Sequence, residues 1–165
     1  MEQTFVMIKP DGVKCEIVKY VIEKLIKNNL SIGDVNIINL NEEFIKEHYA
    51  HLVDKPFFPH LKEYMLSGKV ISMTVFGKNA ISKVRTIMGA TNPNKAEKGT
   101  IRYLYGNKVD TTRNVMHASD SNESALIELD RFKKYKKVLL KGKSMIIIPL
   151  KFTLNKKNQN VVKFI

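Results

Sequence analysis

The sequence predicts an α/β protein of the α+β type, with a ferredoxin-like four-stranded antiparallel sheet, helices packed on it, and a basic C-terminal tail. Two observations lead to this prediction. Short apolar runs typical of strands alternate with segments of helical periodicity, in the order strand, helix, strand, helices, strand, helix, strand, helix. The length of 165 residues, with 44% apolar and 27% charged residues, fits one soluble domain with a buried core.

The first strand and helix are predicted from residues 4–29. TFVMI at residues 4–8 is a short apolar run that predicts a buried strand, and KPDG at residues 9–12 predicts a turn after it. Apolar residues from Val13 to Ile26 recur at helical spacing, so this segment is expected to form one helix. Asn28 and Asn29 are expected to end it.

The middle of the chain predicts two strands and three helical segments. Residues 31–40 alternate in their later half and predict a second strand, followed by a helix from about Glu42 to His51. PFFPHLKEYMLSG at residues 56–68 predicts a short helical hairpin that ends at Gly68. Residues 69–77 predict a third strand. The helix that follows is expected to begin near Asn79 and to end at Gly89.

The last part of the domain contains a long polar loop, a fourth strand at residues 114–118 and a helix that begins at Asp120. Asp120 with Glu123 three residues later resembles a capping box. Beyond Lys133, SMIIIPLKFTLN predicts one or two strands, and Pro149 favours a sheet edge. Because this strand has no evident partner within the domain, we expect it to dock on another surface, such as a neighbouring subunit.

The formal net charge of +12 belongs almost entirely to the tail. Residues 1–130 hold 17 basic and all 16 acidic residues, whereas residues 131–165 hold 11 basic residues and no acidic one. The high isoelectric point therefore does not indicate that the main domain binds nucleic acid, and we expect nucleic-acid binding only through the tail. Cys15 is the only cysteine, which fits a reducing compartment. With no signal peptide or membrane-spanning run, we expect a cytoplasmic protein without a membrane partner.

His117 is the first candidate for chemistry. Most lone histidines near strand ends pack or face solvent, and that reading stays open from the residue alone. The start of a helix just after it offers free N–H groups and a partial positive charge, which suit a phosphate. A neutral imidazole can act as a nucleophile without a metal or thiol. Glu128 could fix the tautomer of this ring.

Several other residues are candidates for nucleotide contacts. Arginines suit forked contacts with phosphate oxygens, and a lysine adds a compact charge, although any one of them is most simply a surface residue. Phe57 and Phe58 fit a core, yet one exposed ring could stack on a base. His48, His51 and His60 are assigned no role. The remaining candidates are Lys9, Tyr49, Arg85, Thr91 and Arg102.

The motifs TFVMIKPDGV, EHY, KPFF, YMLSG, RTIMGATNP, GTIR and NVMHASDSNESA occur in this order. Together they closely resemble the nucleoside diphosphate kinases over about residues 4–132. The chain departs from the family at Tyr103-Leu104, where glycine and an acidic residue are usual. The resemblance implies a kinase domain at residues 1–133 and a basic extension at residues 134–165.

The resemblance also implies roles for single residues. His117 is expected to accept the γ-phosphate through Nδ1, while Glu128 binds the other ring nitrogen and Ser119 lines the site. Lys9 and Asn114 are expected to reach the ribose hydroxyls and Phe57 to stack on the base. The phosphates are expected to contact Lys9, Tyr49, Arg85, Thr91 and Arg102.

The implied reaction is a ping-pong transfer between nucleoside tri- and diphosphates such as ATP, ADP, GTP and the deoxynucleoside diphosphates. Mg²⁺ is expected to arrive with the nucleotide, held by phosphates and water rather than by protein ligands, and the chain is expected to form a homo-hexamer or homo-tetramer. Two alternatives remain. One is an inactive module of the same fold, whose basic tail binds nucleic acid or an anionic surface. The other is a sheet-based RNA reader, which KVISMTVF disfavours because it lacks the aromatic pattern of such sheets.

Overall fold

The computed structural model describes residues 1–141, 151–154 and 160–163, with side chains as far as Lys137. Its main sheet is antiparallel with the strand order β2-β3-β1-β4. This order confirms the predicted ferredoxin-like sheet, because the two central strands are the first and third in sequence. The four strands are β1 (Glu2–Ile8), β2 (Ser31–Asn39), β3 (Lys69–Gly77) and β4 (Met116–Ala118).

Seven α-helices connect and cover these strands in the described part of the chain. Their bounds are α1 (Pro10–Lys14), α2 (Val18–Lys27), α3 (Glu42–His48), α4 (Phe58–Leu66), α5 (Ala80–Met88), α6 (Ile101–Tyr105) and α7 (Asn122–Lys141). Short 3₁₀ turns lie at Ala50–Leu52 and Pro93–Lys95. The predicted bounds of α5 are confirmed, with Asn79 and Gly89 at its two caps.

Four predicted elements differ from the structure. KPDG is not a turn: Pro10 begins α1, a position that suits proline because its missing N–H would have no helical partner. The helix expected to start at Val13 is interrupted at Glu16, which has a φ of 56°, so α2 begins only at Val18. The helix expected to reach His51 becomes 3₁₀ after His48. The segment predicted as a helical hairpin is the single helix α4.

The sheet separates two apolar cores, because side chains alternate between its faces. Val6 and Ile8 of β1 point to the side of α2 and α5, into a core of largely aliphatic residues. Phe5 and Met7 point to the side of α3, α4 and α7, into a core rich in aromatic rings. The active-site candidates gather at the edge of this second core.

Helix α6 was missed from the sequence because IRYLY is only five residues long and lies within a polar segment. Ile101 is fully buried and Thr100 caps the helix by accepting a hydrogen bond from the N–H of Tyr103. Tyr103 and Leu104, which depart from the family pattern, are exposed on α6 and leave Arg102 buried on the opposite side.

The C-terminal extension contains a separate antiparallel pair, β5 (Lys151–Leu154) and β6 (Asn160–Lys163). The tail strand β5 thus pairs with β6 of the same extension, and its docking on another surface stays a prediction. Residues 144–150 of the predicted strand segment, including Pro149, lie outside the described residues. Helix α7 runs through the predicted boundary at residue 133, which stays a prediction. No described helix has both the length and the apolar character of a membrane crossing.

Candidate active site

Strand β4 positions His117 at the mouth of a cleft. In the register with β1, His117 is paired with Met7, whereas Met116 and Ala118 lie in the aliphatic core on the other face. The imidazole therefore points to the aromatic side, where its ring centroid lies 6.2 Å from that of Phe5. Its side chain remains 21% exposed, which leaves one edge of the ring accessible.

Glu128 of α7 fixes the orientation of this ring. Both carboxylate oxygens of Glu128 lie 3.0 Å from Nε2 of His117. Because a carboxylate only accepts hydrogen bonds, Nε2 carries the proton, and in the neutral ring the lone pair is on Nδ1. Nδ1 makes no hydrogen bond to any described residue.

Ser119 holds Glu128 in place from behind. The hydroxyl of Ser119 donates to Oε2 of Glu128 at 2.7 Å and accepts from the N–H of Phe5 at 3.2 Å. Ser119 is fully buried and is not among the residues that line the cleft. It contacts the carboxylate rather than the cleft, and it acts on His117 through Glu128.

The backbone just before β4 adopts a conformation that its sequence does not favour. Val115 has a φ of 60°, in the left-handed region that is costly for a β-branched residue. Its N–H donates to Oδ2 of Asp11 at 3.2 Å, and its carbonyl accepts from the N–H of Lys9 at 2.9 Å. These bonds to the start of α1 compensate the local strain and set the direction in which the chain enters β4.

Lys9 and Asn114 form a buried polar pair beside this turn. The ammonium of Lys9 donates to Oδ1 of Asn114 at 2.7 Å, and the amide nitrogen of Asn114 donates to the carbonyl of Thr91 at 3.0 Å. Burial and, to a lesser degree, the positive charge of Arg102 lower the pKa of Lys9 to about 7. The charge of Lys9 is thus poorly compensated within the protein, which favours an anionic ligand.

Arg102 and Arg85 are placed differently in the same cleft. The guanidinium of Arg102 donates to the carbonyls of Asn114, Gly89 and Met116 at 3.4, 3.2 and 2.7 Å. Burial lowers the pKa of Arg102 to about 10, so it stays charged at neutral pH. Arg85, one turn before the end of α5, is exposed.

His48 and Tyr49 cover the inner side of the cleft. The ring centroids of His48 and His117 lie 4.6 Å apart in an edge-on arrangement. Both ring nitrogens of His48 and the hydroxyl of Tyr49 are buried without a hydrogen-bond partner in the described structure. Burial and the adjacent His117 hold the pKa of His48 well below its usual value, and burial raises the pKa of Tyr49.

These residues line a cleft of about 890 Å³, a size that accommodates a nucleotide-sized ligand. Phe57 lies at its rim with 48% of its surface exposed, whereas the adjacent Phe58 is buried in the aromatic core. The cleft brings together Lys9, Tyr49, Phe57, Arg85, Thr91, Arg102, Asn114, His117 and Glu128, which are all the predicted site residues except Ser119.

Comparison with known proteins identifies the family of this chain. A family model described as nucleoside diphosphate kinase matches residues 2–138. The nucleoside diphosphate kinase of Archaeoglobus fulgidus is 48% identical over 132 residues, which cover 80% of this chain and 86% of that protein. The chain belongs to the nucleoside diphosphate kinase family. The predicted enzyme class, a nucleoside diphosphate kinase, is thereby confirmed.

Solved structures of the family share the fold. The apo nucleoside diphosphate kinase of Encephalitozoon cuniculi superimposes with a TM-score of 0.75 at 38% identity, covering 79% of this chain and 88% of that one. A halophilic nucleoside diphosphate kinase from Halobacterium salinarum, solved in complex with CDP, gives a TM-score of 0.71 at 39% identity, covering 76% of this chain and 85% of that one.

Sequence analysis did not identify several residues that line the cleft of this nucleoside diphosphate kinase family member. His48 and His51 were assigned no role, yet both line the cleft, and so do Thr111 and Thr112. The EHY motif was the one signal near His48, but its proximity to His117 depends on the packing of α3 against β4. His60 lies outside the cleft lining and contacts Asp110 at 2.8 Å.

The capping of α7 also differs from the prediction. Ser121, not Asp120, caps the helix by accepting a hydrogen bond from the N–H of Ser124 at 3.0 Å. Asp120 instead accepts from the hydroxyl of Ser124 at 2.6 Å, and that bond is the main reason why its pKa is lowered. Asp120 thus stays an anion at the rim of the cleft.

Proposed function

We propose that this enzyme transfers the γ-phosphate of a nucleoside triphosphate to a nucleoside diphosphate through a phosphohistidine at His117. The observation that carries the proposal is the contact of Glu128 with Nε2 of His117, which leaves the lone pair on Nδ1. This lone pair forms a bond to the γ-phosphorus while the bond to the bridging oxygen breaks, and the diphosphate leaves. An oxygen of a second diphosphate then attacks the phosphorus, and the N–P bond breaks.

The cations of the cleft support this chemistry. Lys9, Arg85 and Arg102 line the same cleft as His117 and are placed to neutralise the phosphate charges. Three N–H groups of Arg102 bind backbone carbonyls, and its other two are available to phosphate oxygens. We assign phosphate contacts also to Tyr49 and Thr91, and ribose contacts to Lys9 and Asn114.

Glu128 stabilises the positive charge that develops on the ring when Nδ1 becomes phosphorylated. The hydrogen bond from Ser119 keeps the carboxylate in position for this role. Charge stabilisation of a pre-oriented imidazole is how a buried carboxylate contributes to transfer through histidine. Ser119 is therefore a positioning residue, and Glu128 acts on the reacting ring directly.

Phe57 is assigned to stack on the base. Its ring is exposed at the rim of the cleft, and stacking on a π-face is tolerant of base identity. The CDP complex of the Halobacterium salinarum relative supports a nucleotide in this cleft. We therefore expect broad use of nucleoside di- and triphosphates, including ATP, ADP, GTP and the deoxynucleoside diphosphates.

Mg²⁺ is expected to accompany the nucleotide. Asp120 and Glu128 are the two carboxylates among the residues that line the cleft, and Glu128 is already bonded to His117 and Ser119. This donor set fits an ion held mainly by phosphate oxygens and water, with Asp120 as the residue that contacts its hydration shell. When bound, Mg²⁺ would neutralise phosphate charge during transfer.

The proposal also includes assembly into a homo-hexamer or homo-tetramer, which sedimentation can measure. The inactive-module alternative finds no support among the described residues, because the nucleophile, its carboxylate and the cations lie together in one cleft. An active enzyme and a separate function of the extension at residues 134–165 do not exclude each other.

The deciding experiment is incubation of the protein with MgATP labelled on the γ-phosphate. We expect one acid-labile, base-stable phosphoryl group per chain, mapped to His117 and transferred to added GDP. His117→Ala should abolish both labelling and turnover while the far-ultraviolet circular dichroism spectrum stays that of the wild type. Full turnover by His117→Ala would overturn the proposal.

A further inference from the structure

His48 is a buried imidazole at the inner side of the cleft. It is 6% exposed, and neither ring nitrogen is bonded to any described residue. Buried polar groups are almost always satisfied, because leaving one without a partner costs free energy. His48 also lines the cleft, stacks on Phe44 and lies next to His117. The ring that carries these two nitrogens therefore lies beside the cleft, next to the ring of His117.

Two further donor groups lie at the same place. One donor atom each from His48, His117 and Glu128 lies within 4.8 Å of the others. A tetrahedral zinc ion with bonds of about 2.0–2.2 Å holds its ligand atoms roughly 3.3–3.6 Å apart. Nε2 of His117 and the oxygens of Glu128 are 3.0 Å apart, so this pair has to separate by only a few tenths of an ångström. His48 has to approach the other two groups by a larger shift of its ring.

We propose that His48, His117 and Glu128 form a three-ligand site for Zn²⁺, with the fourth position open to water from the cleft. Two imidazoles and one carboxylate are a ligand set that Zn²⁺ prefers. Mg²⁺ prefers oxygen ligands in an octahedral arrangement and is not expected to occupy this site. Zinc is thus distinguished from the Mg²⁺ that accompanies the nucleotide.

Zinc binding at this site would inhibit the enzyme. When Zn²⁺ replaces the proton on Nε2 of His117, that proton moves to Nδ1, which loses the lone pair needed for phosphorylation. No net proton is gained or lost by the ring. This inhibitory consequence rests on the proposed function, whereas the metal site itself does not.

The test is calorimetric titration of Zn²⁺ into the full-length, nucleotide-free protein, with Mg²⁺ titrated separately. His48→Phe retains a ring for stacking on Phe44 but removes the ligand, and Glu128→Gln removes the carboxylate charge. We expect each to weaken Zn²⁺ affinity by about tenfold or more. His60→Asn is the matched control, because His60 also lies 2.8 Å from a carboxylate but on the surface.

Unchanged Zn²⁺ affinity in both His48→Phe and Glu128→Gln would overturn the site, and so would a loss of affinity confined to His60→Asn. Circular dichroism and thermal unfolding of the variants check that each is folded. Co²⁺ serves as a spectroscopic probe: visible absorption typical of tetrahedral Co²⁺ is expected in the wild type and is expected to be lost in His48→Phe.

A labelling experiment separates this inference from the proposed function. Zn²⁺ is expected to suppress phosphorylation of His117 in the wild type, and a chelator should restore it. If Zn²⁺ binds through His48 but His117 is never phosphorylated, the metal site stands and the proposed function fails. If His117 is phosphorylated but His48→Phe binds Zn²⁺ like the wild type, the metal site fails alone.

Discussion

Among single residues, the two arginines of the cleft differ in burial and therefore in their expected contribution to stability. Arg102 is 5% exposed and bridges the carbonyls of Gly89, Asn114 and Met116, whereas Arg85 is exposed. Arg102 therefore ties together the end of α5, the approach to β4 and β4 itself. Its contribution to stability should exceed that of Arg85, whatever both contribute to binding.

Arg102→Lys is expected to lower the free energy of unfolding by about 2–4 kcal/mol, because an ammonium cannot replace three diverging donors and leaves buried carbonyls unpaired. Arg85→Lys should change it by less than about 0.5 kcal/mol. Urea denaturation of both variants measures the difference. Equal stability of the two would show that the carbonyl bridge contributes little.

The lowered pKa of Lys9 predicts that ligand binding is coupled to the uptake of a proton. Since its pKa is about 7 in the free protein, most Lys9 side chains are neutral at pH 8, and a bound phosphate raises the pKa again. Nucleotide binding at pH 8 should therefore take up as much as about one proton, and binding at pH 6 almost none. Calorimetry in buffers of different ionisation enthalpy measures this uptake.

The control for the Lys9 experiment comes from a lysine outside the cleft. Lys9→Met should abolish the uptake at pH 8, whereas Lys24→Met, which loses a bond to the carbonyl of Gly99, should preserve it. An uptake that persists in Lys9→Met would assign the proton to another group.

Among the elements, the end of α5 packs closely against the start of α6. Gly89 has a φ of 89°, and a Cβ there would lie 2.8 Å from Cβ of Thr100, the cap of α6. Gly99 has nearly the same φ, 88°, but a Cβ there would meet nothing within 4 Å. Alanine substitutions at the two positions therefore distinguish the cost of backbone strain from the cost of steric contact.

Gly99→Ala is expected to cost about 1–3 kcal/mol of unfolding free energy through backbone strain alone. Gly89→Ala should cost at least about 1 kcal/mol more, because Thr100 and with it the start of α6 must also move. Thermal and urea unfolding give both values. A smaller loss for Gly89→Ala than for Gly99→Ala would contradict the steric argument.

The elements that the sequence predicts well are those whose pattern is local. The strands β1 and β3 and the helix α5 follow from apolar periodicity and from residues that cap or break structure. Helix α6 could not be predicted, because its five residues form through the buried Ile101 and the Thr100 cap. KPDG was misassigned because proline favours both a turn and the first position of a helix.

The prediction of the site residues was limited in the same way, because it also depended on local patterns. The motifs predicted nine residues of the cleft, because their spacing identifies the family. They did not predict the contact between His48 and His117, or the position of Ser119 behind Glu128. Both depend on the packing of α3 and α7 against β4, which no local pattern specifies.

For the whole molecule, every predicted site residue lies between Lys9 and Glu128, and the described cleft ends at Arg131. Deleting residues 142–165 should therefore leave turnover within about twofold of that of the full chain. The deletion removes five lysines and lowers the formal net charge from +12 to +7, so any salt-dependent affinity for nucleic acid should fall. Assays of turnover and of nucleic-acid binding at two salt concentrations test both expectations.

The three residues of β4 alternate between the two cores, with His117 on one side and Met116 and Ala118 on the other. Inserting or deleting a single residue between Asn114 and His117 would exchange these sides and seal the imidazole into aliphatic packing. Length changes should thus be tolerated in the loop before Arg113 but not after it.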